Sequence, residues 1–238
     1  MKLLKDQFTA SPLMARFLPY LIFVALTSLQ GQLGAGSEYW VYLAKTLVGA
    51  WLVWLARPYV TEARWAFSWE AVAVGVGVCV LWVGLDPYYP RLGELSVKLV
   101  LSAPKDPAQA AAPLWNPFVQ FGAGSALGWL FVGVRIAGST LVVPPLEEAF
   151  FRSFLYRYLI QADFTAVPLG TLAWTPLVVS AVGFGLIHFQ WFAGILCGLA
   201  YLGLMIHKQR LGDVLTAHAI TNFLLGVWVV WKGAWQFW

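Results

Sequence analysis

Long apolar segments constrain this chain more than any other feature. From Phe17 to Ser37 no Asp, Glu, Lys or Arg interrupts the sequence, and similar segments recur to the C-terminus. A helix that crosses a bilayer needs about 20 mostly apolar residues. Eight segments approach that length: 17–36, 41–56, 71–85, 118–134, 139–160, 171–188, 191–206 and 214–231. Composition agrees, because 60% of the residues are hydrophobic and only 11% are charged, against about 25% charged in a soluble domain. The fold class expected is therefore all-α: a polytopic transmembrane helical bundle of about eight spans, forming one integral membrane domain over residues 1–238.

Segments 41–56, 71–85 and 191–206 are short for a full crossing, and tryptophans at segment ends suit their flanks. Trp40, Trp65, Trp69, Trp115, Trp174, Trp191, Trp231, Trp235 and Trp238 fall near such ends, where amphipathic rings favour the headgroup layer. Residues 86–117 are rich in proline and contain Arg91, Glu94, Lys98, Lys105 and Asp106, so this stretch reads as an extramembrane loop.

The net charge of +4 comes from scattered residues and builds no basic stripe, which argues against a nucleic-acid partner. Cys79 and Cys197 stand alone in apolar stretches, without the spacing of a disulfide framework or a zinc site. The first apolar segment has no small-residue cleavage site, so it is expected to stay as a span. Lys2, Lys5 and Arg16 precede it, and the following short loop has no Lys or Arg, which favours a cytoplasmic N-terminus in a bacterial-type cell membrane. Alternation over eight spans then puts Lys2, Lys5, Arg16, Arg57, Arg64, Arg135 and Lys232 inside. It puts Lys45, Arg91, Lys98, Lys105, Arg157, Lys208 and Arg210 outside, so the two sides tie.

Ionisable residues inside spans are costly and mark sites. Glu147 and Glu148 follow Pro144 and Pro145 in an apolar segment. Glu148 and Arg152 are four apart and can meet on one helical face, whereas Glu147 points about 100° away. Glu148 with Arg152 reads as an ion pair, and Glu147 as a free carboxylate able to act as a general base. Phe184 and His188 are four apart at the end of another apolar run. His218 and Asn222 are also four apart, with donors that can converge on one point. His207 adjoins Lys208, Gln209 and Arg210, and reads as a solvated turn residue.

These residues resemble the motifs of the CAAX protease and bacteriocin-processing family of intramembrane glutamate proteases, also called the Abi family. Its E-E-x-x-x-R corresponds to Glu147, Glu148 and Arg152, its F-x-x-x-H to Phe184 and His188, and its H-x-x-x-N to His218 and Asn222. The resemblance covers residues 125–231, the expected protease core. It implies an endopeptidase in which Glu147 activates water with help from His188, while His218 and Asn222 bind the oxyanion. Glu148, Arg152 and Phe184 would support the site. It further implies membrane lipid around the chain, a protein or peptide substrate that can be lipid-modified, and no cofactor.

Two alternatives use the same residues. Glu147, Glu148, His188 and His218 are all possible zinc ligands, which would make a metalloprotease. A non-enzymatic scaffold or transporter could also use a polar intramembrane cluster. One difficulty stands within the favoured reading. Eight alternating spans put Glu147 and His188 toward one side and His218 toward the other.

Overall fold

A computed structural model describes residues 2–92, 94 and 114–238. The central part of the expected 86–117 loop, with Lys98, Lys105 and Asp106, lies outside the described residues.

Among the described residues the regular structure is helical. An N-terminal helix α1 (Lys2–Ala10) leads through Ser11 into α2 (Pro12–Thr27), whose first turn is capped by the Ser11 hydroxyl accepting from Met14 N. Helices α3 (Ser37–Ala56) and α4 (Trp69–Leu85) follow. After a short α5 (Pro117–Phe121) come α6 (Ala126–Ile160), α7 (Trp174–Leu186), α8 (Trp191–Lys208) and α9 (Gly212–Lys232). Five helices, α3, α4, α6, α8 and α9, are long and apolar enough to cross a membrane, while α2 and α7 are shorter apolar helices. The chain is thus a helical membrane protein.

The count differs from the sequence expectation at one place. Segments 118–134 and 139–160 are not two spans. Their boundary, around Arg135 and Gly138, lies inside the continuous helix α6 of 35 residues, about 52 Å long at helical rise. Arg135 does not end the helix, because its guanidinium lies over the rings of Tyr42 and Trp115, at 4.5 and 4.9 Å, and so finds favourable cation–π partners. The start of the expected 118–134 span is broken off as α5, because Gly122 and Gly124 adopt positive φ, which stops a right-handed helix.

Helix α6 contains two π-helical stretches, Gly138–Val142 and Ala149–Leu155. Pro144 and Pro145 explain the first. Neither has an N–H for the preceding turn, and their rings crowd the carbonyls four residues back, so the turn widens and Val143 N reaches Gly138 O instead. The glutamate pair sits between these wide turns, an arrangement frequent at functional sites.

Contacts at the helix ends define two faces of the bundle. At one end, Arg16 on α2 and Arg157 on α6 both bind the Glu62 carboxylate, at 2.6 and 3.1 Å. Lys208 at the end of α8 pairs with Glu70 at the start of α4, 3.0 Å. At the other end, Trp115 packs against Trp238, Trp191 donates to Pro90 O, and Gln190 donates to Gln236 O. These are called the Arg16 end and the Trp238 end below. The tied charge tally separated Arg157, Lys208 and Arg210 from Arg16. The structure places them at the same end, because merging two segments into α6 removes one crossing and reverses every later assignment.

Burial raises the Glu62 carboxyl, but the Arg16 guanidinium and the Ser153 hydroxyl outweigh it and hold Glu62 below the usual carboxylate range. The core between α6, α7, α8 and α9 is apolar, with Phe184, Tyr201, Leu202, Met205 and Val214 among its buried members.

Candidate functional site

Helix α9 supplies the centre of the polar cluster. His218 is buried, and its Nδ1 donates to Glu148 Oε1 at 2.7 Å. Its Nε2 then faces Glu147 Oε2, at 3.9 Å. Glu148 Oε2 faces Arg152 Nε at 3.2 Å, and both residues are fully buried. One carboxylate thus serves two cations or donors, which fixes the orientation of the imidazole ring.

Arg152 has its planar face on apolar surroundings. Its guanidinium lies 4.0 Å from the Phe184 ring centroid, a close cation–π contact,. Phe184 therefore touches three members of the set, since its ring is also 4.8 Å from His188 and 6.2 Å from His218. The carboxylate of Glu147 is less buried than that of Glu148, at 13% against 0% side-chain exposure, and Glu147 Oε2 has no hydrogen-bond partner. Glu147 is the carboxylate of the two that makes no close contact, with His218 Nε2 as its nearest cationic partner.

The structure brings Glu148 against both Arg152 and His218, and Glu147 opposite the far nitrogen of His218. His188 is close through Phe184 but pairs directly with neither glutamate among the described residues. Its Nδ1 donates to Phe184 O at 2.8 Å, and its ring packs edge-on against Trp82. Asn222 lies one turn beyond His218 on α9 and donates through Nδ2 to Ser139 O at 2.7 Å. That carbonyl belongs to the first π stretch of α6. One of the two amide N–H groups is engaged there, and the second is left for another acceptor.

The crossing difficulty is resolved by the length of α6, because Glu147 lies well inside a helix of 35 residues and not near the start of a separate span. Helix α7 has 13 residues and spans about 20 Å, too short for a hydrocarbon layer of about 30 Å. It starts at the Arg16 end, and its last turn brings the Phe184 ring to 6.2 Å from His218, with His188 just beyond. Leu186, Ile187 and Phe189 around the following turn are exposed apolar residues, as befits a turn that meets lipid. His218 is the seventh residue of α9, which starts at the same end.

Sequence reasoning missed the groups that brace His218. Tyr201 on α8 lies 5.2 Å from it ring to ring and donates to Thr221 Oγ1 at 2.8 Å. Thr221 in turn donates to Gly75 O at 2.8 Å. Gly75 allows this approach, because a Cβ there would lie 2.6 Å from Ala217 O. A hydroxyl in the apolar run of α8 and another three residues after His218 were the available signals. His207 lies in the last turn of α8 at the Arg16 end, away from this cluster. Among the described residues no group of three His, Cys, Asp or Glu side chains is arranged to hold a metal ion.

Residues 129–224 match the family model described as type II CAAX prenyl endopeptidase Rce1-like, so this stretch of the chain is similar to that family. The matched stretch contains every residue of the cluster. No curated protein and no solved structure matches the chain.

Proposed function

We propose that this protein is an intramembrane endopeptidase of glutamate type, with Glu147 as the general base and a protein or peptide at the membrane, including lipid-modified ones, as substrate. The observation that carries the reading is the unpartnered Glu147 carboxylate opposite His218 Nε2, inside the stretch that matches a family of CAAX proteases.

The chemistry follows from who already holds which proton. With Nδ1 of His188 donating to Phe184 O, its Nε2 is an acceptor in the neutral ring. A water between Glu147 and His188 can give one hydrogen to each and direct a lone pair at a peptide carbonyl carbon. As the new C–O bond forms, Glu147 takes a proton from the water. The carbonyl oxygen becomes an oxyanion, for which His218 Nε2–H and the second N–H of Asn222 are the donors, one helical turn apart. Glu147 then passes its proton to the leaving nitrogen as the C–N bond breaks, which releases an amine and a carboxylic acid. Donating through both nitrogens in this scheme, His218 stands with Arg152 opposite Glu147 and Glu148. A buried cluster of this kind is sustained only when its charges are balanced.

The test is a comparison of membrane proteomes with the parent chain and with Glu147→Gln. Fragments present with the parent are expected to vanish with the variant, and fragments that persist would refute the assignment. Retained binding or transport by the variant, with no cleavage by the parent, would point to a scaffold or transporter. Because a carboxylate activates the water in this scheme, cleavage is expected to survive treatment with a zinc chelator. Inhibition reversed by added zinc would give the cluster a metal.

A further inference from the structure

A cavity of about 480 Å³ opens at the Arg16 end between α2, α3, the turn after α3 and helix α6. Its interior is apolar, formed by Ala15, Pro19, Val53 and Leu146 among others. Its rim is cationic. Arg57 and Arg64 line it, are exposed, and pair with no carboxylate among the described residues. Arg16 also lines it, but its charge is met by Glu62. Glu62 is shared with Arg157, so that group of three adds a further net positive charge. Trp65 stands at the same rim, about half exposed, where an indole marks the headgroup layer.

We infer that this cavity is a binding site for an anionic phospholipid of the surrounding bilayer, with the phosphate on Arg57 and Arg64 and part of one acyl chain in the apolar interior. Two guanidinium forks match phosphate oxygens in geometry and charge. A basic pocket between transmembrane helices at an interface is the usual form of a headgroup site. The cavity walls include Pro145 and Ala149, which bracket the glutamate pair on α6. An occupied site would therefore press on the segment that carries Glu147 without touching its carboxylate.

The purified full chain is reconstituted in nanodiscs of phosphatidylcholine with phosphatidylglycerol, and the lipids it keeps after extraction are counted by native mass spectrometry. The expected result is one phosphatidylglycerol retained over phosphatidylcholine by on the order of tenfold, from two interfacial arginines. In Arg57→Gln/Arg64→Gln that preference is expected to disappear at unchanged thermal stability. Ala63→Trp, which fills the cavity and keeps both arginines, is expected to abolish retention as well. Equal retention of the two lipids by the parent, or an unchanged preference in the double variant, would overturn the inference. So would displacement of either lipid by a lipid-modified peptide regardless of headgroup, which would make the cavity part of the substrate's own path. None of these readouts requires proteolytic turnover.

Discussion

At the scale of residues, the two adjacent glutamates differ in what surrounds them. Glu148 is spent on Arg152 and His218 Nδ1, while Glu147 meets only the far nitrogen of the same imidazole. Glu148 is thereby a positioning residue, because its effect on chemistry passes through His218. His218→Gln is expected to lower kcat/KM by on the order of 10²- to 10³-fold, as loss of an oxyanion donor does. Glu148→Gln is expected to lower it less, and mainly in kcat. The double variant should be no slower than His218→Gln alone, since residues that act as a unit are not additive. Multiplicative losses in a steady-state assay would show that Glu148 acts independently. The four-residue spacing of Glu148 and Arg152 was enough to read their pairing from sequence. The bond from Glu148 to His218 was not, because it joins helices whose relative depth depends on how many crossings lie between them.

At the scale of elements, the site depends on one short helix and on how closely it packs. Helix α7 lies against α8 through small residues. A Cβ on Gly185 would lie 2.6 Å from Trp191 O and 2.7 Å from Ile195 N. Backbone atoms cannot yield as a flexible side chain can, so Gly185→Ala must move α7 and α8 apart. Overpacking of this kind costs about 1–3 kcal/mol, and the displaced residues include Phe184 and His188 on either side. The variant is expected to melt at lower temperature in detergent and to lose cleavage more steeply than stability. An unchanged melting temperature with full activity would mean that the helices have slack here. The apolar runs made the helices legible. The π stretches and the fusion of two segments into α6 were hidden, because Arg135 and Gly138 look like a break in sequence. In the fold, aromatic rings shelter Arg135, and Gly138 lets α6 approach Thr46 on α3. Glu62 was hidden for a related reason. It lies between Arg57 and Arg64 in a turn, and only tertiary structure delivers Arg16 and Arg157 to it.

At the scale of the whole molecule, the corrected order of crossings breaks the tie in charge that the sequence left. Lys2, Lys5, Arg16, Arg57, Arg64, Arg157, Lys208 and Arg210 now gather at the Arg16 end. The Trp238 end has Arg91, Arg135 and Lys232 among the described residues. Lys45 and Arg152 are buried between the two. Basic residues near span ends favour the cytoplasmic face, and acidic ones contribute little to that choice. We therefore expect the Arg16 end, with the N-terminus and the mouth of the arginine-rimmed cavity, to face the cytoplasm. Anionic phospholipid headgroups there would add to the same bias. Single cysteines can decide it in a chain from which Cys79 and Cys197 have been replaced by alanine. Gln32→Cys lies in the exposed turn after α2 at the Trp238 end, and Ala162→Cys in the exposed turn after α6 at the Arg16 end. In intact cells a membrane-impermeant maleimide is expected to label position 32 and to reach position 162 only after permeabilisation. The reverse pattern would invert the protein in the membrane, and labelling of both in intact cells would show that the two turns do not lie on opposite sides of the bilayer.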